Sequence, residues 1–254
     1  MSNFEFTTNE LMAVTASRLL EDGQNIVVGL GLPQVATLLA KSSHAPNLNI
    51  IYEIGVINPE SIDAGVGIAD PRLWYRGEYF TSFNGSLGQI LHRGLVDVGF
   101  LGGLQVDRYG NINSSLINEG DGIKHFTGSG GAADIATFSK KVFIIAKHQK
   151  RKLVEAVDFI TTVGYLRGSN SRKEEGLPAC SEIKVITNLC TLSFNNATRE
   201  MQVESLHPGI TSLQVKENSG FDIFIDENVK QTDLPTIEEL QLLRNKIDPN
   251  KLYI

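Results

Sequence analysis

The sequence predicts an α/β fold, with a single open, mostly parallel sheet and flanking helices over residues 1–254, and three observations support it. A short β-branched run at 25–28 passes through Gly29-Leu30-Gly31-Leu32-Pro33 into a helical pattern carried by Val35, Ala36, Leu38 and Leu39, the strand–turn–helix unit of a parallel sheet. Strand and helix signals then alternate along the chain. The run 141–146 (KVFIIA) is almost wholly apolar, as strands covered on both faces are.

Taken in order, the chain opens on a helix. Thr7 and Glu10 have capping-box spacing, and Leu11, Met12, Ala16, Leu19 and Leu20 form its apolar stripe until Asp22-Gly23 stops it. After the 25–39 unit, strands are expected at 48–53, at 95–101 (following a helix-like stretch at 87–92), at 141–146 and at 183–187. Shorter, more polar ones are expected at 191–194 and 202–205. A helix is expected at 132–138, and a last one from Pro235 to about Lys246 with Leu240, Leu243 and Ile247 buried. The stretch 168–176 reads as an exposed loop. No linker or repeat divides the chain, so one domain is expected.

Composition narrows the function. With 254 residues the chain can bury a full core. Its 23 basic and 29 acidic residues leave a net charge of −6, against a nucleic-acid binder, whose footprint would be basic. No apolar run approaches membrane-spanning length. Residues 1–10 carry no secretion signal, and Cys180 and Cys190 make neither a disulfide framework nor a metal site. A reduced cytoplasmic protein without a metal is the expectation.

Three features carry chemistry. Phe126-Thr127-Gly128-Ser129-Gly130-Gly131-Ala132-Ala133-Asp134 is a glycine-rich loop entering a helix. It reads either as a plain turn or as a nest of N–H groups for a phosphate, a carboxylate or an oxyanion. It does not fit a dinucleotide fingerprint or a P-loop. Glu53 closes the apolar strand Asn49-Ile50-Ile51-Tyr52, where open α/β sheets bind ligands. It reads either as a solvated strand-end acid or as a base or covalent nucleophile. The stretch from Gly102 to Ser115 has turn chemistry, and the amides of Gln105, Asn111 and Asn113 are candidates for orienting a substrate. The basic run Lys147-His148-Gln149-Lys150-Arg151-Lys152 is expected to open a helix, as a solvated face or a site for a phosphate-rich ligand. His207 reads as a turn residue.

Together, Gly29-Leu30-Gly31-Leu32-Pro33, Ile50-Ile51-Tyr52-Glu53-Ile54-Gly55, Gly102 to Asn111, the 126–132 loop, Leu206-His207-Pro208-Gly209 and Ile247-Asp248-Pro249 resemble the β subunit of class I coenzyme A-transferases, most of all that of glutaconate CoA-transferase. The resemblance spans nearly the whole chain. It implies a CoA-transferase-like fold and ping-pong transfer of CoA from an acyl-CoA to a small carboxylic acid through a thioester on Glu53. It assigns oxyanion or CoA binding to Gly128, Ser129, Gly130, Gly131 and Ala132. It implies a coenzyme A thioester as substrate, with no bound cofactor. It also implies a separately encoded α subunit, an α2β2 assembly, and no activity without that partner. One departure stands out: relatives carry Glu-Ser-Gly or Glu-Asn-Gly where this chain has Glu53-Ile54-Gly55. The same fold family includes a decarboxylase with cysteine in place of Glu53 and a ring-opening hydrolase whose β subunit lacks this glutamate. A hydrolase or decarboxylase acting on a CoA ester and a non-catalytic CoA-ester-binding subunit are therefore the alternatives.

Overall fold

The computed structural model describes residues 5–60, 63–68, 70–120 and 122–254, so positions 1–4 of the stretch read for a secretion signal lie outside the described residues. Two units are distinguished, residues 1–100 with 233–254, and residues 101–232.

In the first unit, helix α1 (Thr8–Ser17) begins with the expected capping box. The Thr7 hydroxyl accepts from the Glu10 N–H and the Glu10 carboxylate accepts from the Thr7 N–H, pairing two N–H groups that a helix start otherwise leaves open. Strand β1 (Asn25–Val27) leads to Gly31, whose φ of 86° only glycine adopts cheaply, and Pro33 then starts helix α2 (Leu32–Ser42). Strands β2 (Asn49–Tyr52), β3 (Val56–Ile57), β4 (Tyr79–Phe80) and β5 (Val98–Leu101) complete a sheet in the order β5-β1-β2-β3-β4. Pairing is parallel from β5 through β1 to β2 and antiparallel beyond. Ile26, Val27, Ile50, Ile51, Val98 and Phe100 are buried with Val35 and Leu39 of α2. The closing helix runs Ile237–Leu242 and widens into a π-helical turn, Leu243–Ile247. It starts two residues after Pro235 because the Thr236 hydroxyl caps the Glu239 N–H. Leu240, Leu243 and Ile247 are buried as expected.

In the second unit, β6 (Gln105–Asp107) and β7 (Ile112–Asn113) form a hairpin, as do β8 (Leu116–Glu119) and β9 (Gly122–His125). Helix α3 (Ala132–Phe138) precedes β10 (Lys141–Ile145), and β11 (Leu153–Val154) pairs parallel with β6. Beyond helix α4 (Ser171–Glu174), strands β12 (Glu182–Ile186), β13 (Cys190–Phe194) and β14 (Met201–Leu206), helix α5 (Ser212–Asn218) and β15 (Lys230–Gln231) follow. The sheet order is β15-β14-β13-β12-β10, parallel at β10/β12 and β14/β15 and antiparallel between.

Three local expectations change. The 102–115 stretch is not only turn: it carries β6 and β7 around a tight reversal in which the Gly110 N–H donates to Asp107 O. The run 147–152 opens no helix; it is a turn between β10 and β11, with His148 buried inside it. The 168–176 stretch holds α4, with Ser171 and Arg172 buried. The Arg172 guanidinium donates to the carbonyls of Gly164, Ala136, Thr137 and Pro178, supplying partners that the C-terminal carbonyls of α3 otherwise lack.

Candidate active site

Glu53 sits on the reversal that joins β2 to β3. Tyr52 pairs with Val56 across the hairpin, and the Gly55 N–H closes the turn on Tyr52 O at 2.9 Å. Gly55 has φ 98°, and a Cβ there would lie 2.1 Å from Thr81 O. The glycine is required twice, by conformation and by the close approach of the neighbouring chain segment. The Thr81 N–H donates to Gly55 O at 2.8 Å. The Ser86 hydroxyl, fully buried, donates to Glu53 O at 2.6 Å. Ser86 thus holds the Glu53 carbonyl directly, and two further hydrogen bonds fix the turn on either side of it. Its side chain is half-buried, and its carboxylate meets no hydrogen-bond partner among the described residues. Beside it, Ile54, Ile68, Trp74 and Phe80 line a largely apolar cleft of about 320 Å³.

The glycine loop lies in the second unit. Gly128 and Gly130 have φ of 85° and 49°, with open space where a Cβ would stand; here glycine serves conformation alone. Gly128 is committed to the hairpin end: its N–H donates to Ser114 O at 3.1 Å and its carbonyl accepts from the Ser114 hydroxyl at 2.9 Å. The Ala132 N–H donates to Ser129 O. Between Gly128 and Ala132 the remaining N–H groups are those of Ser129, Gly130 and Gly131. Helix α3 has only seven residues, so its dipole adds little, and the loop backbone is what an anion would meet.

Gln105, Asn111 and Asn113 are all buried, and their amides are turned on the protein. The Asn113 side chain donates to Gln105 Oε1 at 2.7 Å and to Leu116 O at 2.6 Å, and Gln105 donates to Asp158. Asn111 donates to Asp107 Oδ2 at 2.9 Å and to Leu166 O at 2.8 Å, and its carbonyl accepts from the N–H groups of Gly164 and Leu166. Burial pushes the Asp107 carboxyl above its ordinary range, against the hydrogen bonds from Asn111 and Tyr109 that favour its charge.

One cluster escaped the sequence. His148, 2% exposed, places Nε2 2.9 Å from the Ser219 hydroxyl, which itself donates to Val215 O. Ser219 must then accept, so His148 carries its proton on Nε2, and Nδ1 faces the Cys190 thiol at 3.5 Å and Thr187 Oγ1 at 3.1 Å. Burial lowers its pKa to about 4 and raises that of the Cys190 thiol to about 12. His207 is not a simple turn residue: it is buried between Thr187 O and the Thr232 hydroxyl, and burial lowers its pKa too. Their only sequence signal is a histidine among cations or next to proline, which does not report burial. Among the described residues no cluster of metal-binding side chains occurs, and no helix is long and apolar enough to cross a membrane.

The mixed α/β sheet with flanking helices is a CoA-transferase fold. The coenzyme A transferase family profile matches residues 9–218, and the chain belongs to this family, in its class I β-subunit group. It is 40% identical to the β subunit of 3-oxoadipate CoA-transferase of Pseudomonas knackmussii, over 94% of this chain and 92% of that one. The β subunit of glutaconate CoA-transferase of Acidaminococcus fermentans is 32% identical over 98% and 95%. The crystal structure of glutaconate coenzyme A-transferase from that organism superposes with a TM-score of 0.91, covering 98% of both chains at 30% identity. The cholesterol ring-cleaving hydrolase IpdB subunit of Mycobacterium tuberculosis is 28% identical over 97% and 96%.

Proposed function

We propose that this chain is the β subunit of a CoA-transferase, acting with a separately encoded α subunit on an acyl-CoA and a small carboxylic acid. The Glu53 carboxylate attacks the thioester carbonyl, and the CoA thiolate leaves. The thiolate then attacks the Glu53 carbonyl of the mixed anhydride, expelling the first acid as its carboxylate and leaving CoA on Glu53 as a thioester. The incoming carboxylate reverses both steps and departs as the new acyl-CoA. Every step is acyl transfer, so neither ATP nor a metal is required.

The observation that supports this reading most is the setting of Glu53: Ser86 holds its carbonyl and Gly55 and Thr81 fix its turn, while its carboxylate has no partner among the described residues. That is what a nucleophile needs, since a carboxylate spent on an ion pair or a donor attacks poorly. We assign the oxyanion donors to the N–H groups of Ser129, Gly130 and Gly131. Removal of one donor of this kind costs about 3 kcal/mol of barrier. Gly128 and Ala132 serve the loop's shape, and Gln105, Asn111 and Asn113 hold the hairpin behind it rather than the substrate.

The likeness to the ring-cleaving hydrolase subunit keeps a second reading, hydrolysis of a CoA ester in the same pocket. The test is to co-purify the chain with its α partner, incubate with a panel of acyl-CoAs, reduce with borohydride and map the peptide containing Glu53. Conversion of a Glu53 thioester to the alcohol, a mass loss of about 14 Da, supports transfer. Consumption of acyl-CoA with Glu53 unmodified overturns it in favour of hydrolysis, and a complex that binds acyl-CoA without consuming it is the binding-only subunit.

A further inference from the structure

We propose that the cleft beside Glu53 receives the acyl group and selects an apolar monocarboxylic acid against a dicarboxylic one. This rests on the transferase reading and narrows its small carboxylic acid to one kind. Ile54 and Gly55, the two residues that follow Glu53, form one wall, and Val56, Ile68, Trp74 and Phe80 form the rest. Among the described residues the only polar side chain in the lining is that of Thr81. With a volume of about 320 Å³, the cleft lies at the small end of ligand pockets, which run from about 300 to 1,000 Å³. That is room for a short acyl group. Ile68, Trp74 and Phe80 are 54%, 44% and 58% exposed, and large apolar side chains gathered in water around a concavity mark a binding site.

Charge decides which kind of acyl group fits. Residues 54–83, which supply every wall, contain four acids, Glu60, Asp63, Asp70 and Glu78, and only two cations, Arg72 and Arg76. Both cations are engaged: Arg72 holds Asp63 at 3.0 Å and Asp70 at 2.6 Å, and Arg76 holds Glu60 at 2.8 Å. A second carboxylate at the far end of an acyl chain would enter among acids, with neither cation of these segments left to receive it. Burying an unpaired charge costs far more than burying a methyl group, so the cleft favours a chain that ends in hydrocarbon.

The walls are held by the protein itself. Val56 of β3 pairs with Phe80 of β4. A Cβ on Gly77 would stand 2.9 Å from the Phe80 ring and 3.0 Å from the Val56 side chain, so the missing side chain leaves the ring its place. The Trp74 indole N–H donates to Ile68 O at 3.3 Å and is therefore not a donor to the cleft. The Asp70 carboxylate accepts from the Val66 and Arg72 N–H groups at 2.9 and 3.0 Å. The loop that carries Ile68 is thus tied to the helical turn Pro71–Leu73 that leads into Trp74. Side chains already held in place lose less entropy when a ligand arrives.

The test has two arms. The complex with the α partner is assayed with hexanoyl-CoA and adipyl-CoA, which have equal carbon chains and differ in the distal carboxylate. The expected kcat/KM is at least about tenfold higher for hexanoyl-CoA. Phe80→Ala, with its fold checked by melting temperature, should cost hexanoyl-CoA about tenfold more than it costs acetyl-CoA. A loss shared equally by the two would mark Phe80 as structural, or as part of the contact with the α subunit, and overturn the pocket. Binding is read apart from chemistry on the full chain, because Trp74 is its single tryptophan. Hexanoyl-pantetheine should shift the Trp74 emission to the blue in a saturable way, and adipyl-pantetheine should not. Equal kcat/KM for hexanoyl-CoA and adipyl-CoA, a preference for adipyl-CoA, or a Trp74 emission that ignores hexanoyl-pantetheine would each overturn the proposal. Borohydride trapping at Glu53 is independent: if no acyl-CoA labels Glu53 while Trp74 still responds to hexanoyl-pantetheine alone, the transferase reading falls and the apolar pocket stands.

Discussion

The Ser86 hydroxyl donates to the backbone carbonyl of Glu53 across 2.6 Å, joining a π-helical segment (Asn84–Leu91) to the end of strand β2 from 33 residues away. The same hydroxyl lies 3.0 Å from Phe83 O within its own segment. Ser86→Ala leaves the Glu53 carbonyl without this donor in a dry setting. Stability should drop by about 1–2 kcal/mol, and turnover should fall about tenfold with KM little changed, because the carboxylate's aim loosens rather than its chemistry. Urea denaturation and steady-state kinetics of the complex check both.

Glu53→Gln removes the nucleophile but breaks no side-chain contact among the described residues. The melting temperature should stay within about a degree, since surface-type changes usually lie within about 0.5 kcal/mol, while transfer activity should fall by at least about 10³. Unaltered acyl-CoA consumption by this variant would leave the hydrolase reading standing.

Gly55→Ala forces a Cβ to 2.1 Å from Thr81 O at a φ of 98°. Either β4 moves away or the turn changes shape. We expect a loss of more than about 2 kcal/mol, visible as a lowered urea midpoint, together with loss of activity.

Asn111→Ala removes two donors and a doubly used acceptor from a buried site and leaves Asp107 with backbone partners only. Destabilisation of about 2–4 kcal/mol is expected. If Asn111 oriented a substrate instead, the variant would keep its stability and raise KM.

Acid should weaken the second unit through His148 and His207. His148 has a pKa of about 4 when folded against 6.5 when free, because burial disfavours its charged form beside Cys190, Thr187, Ser219 and His207. Between those values the unfolded chain binds a proton that the native state does not. Stability therefore falls as pH falls from about 6.5 toward 4, by at most about 1.4 kcal/mol per pH unit for each such histidine. His207, also lowered, acts in the same direction. Denaturant midpoints at pH 7, 6 and 5 measure the slope, and His148→Gln should flatten it.

The sequence by itself determined the elements whose signals are local. The Thr7–Glu10 box, the Gly31–Pro33 helix start, the apolar run of β10 and the stripe of Leu240, Leu243 and Ile247 depend on neighbours within a few residues or on simple periodicity, and each is present in the fold. It also put Glu53 at the end of an apolar strand. Tertiary structure alone decided which groups remain available. It spent the Gly128 N–H on Ser114, turned Asn111 and Asn113 onto the hairpin, buried His148 inside a run that reads as a charged helix, and brought Ser86 under Glu53. A residue's type states what hydrogen bonds it can make, whereas the partner that takes them is set by packing between segments tens of residues apart. For that reason the candidate groups were legible in their residue types, and the partners that hold each of them were not.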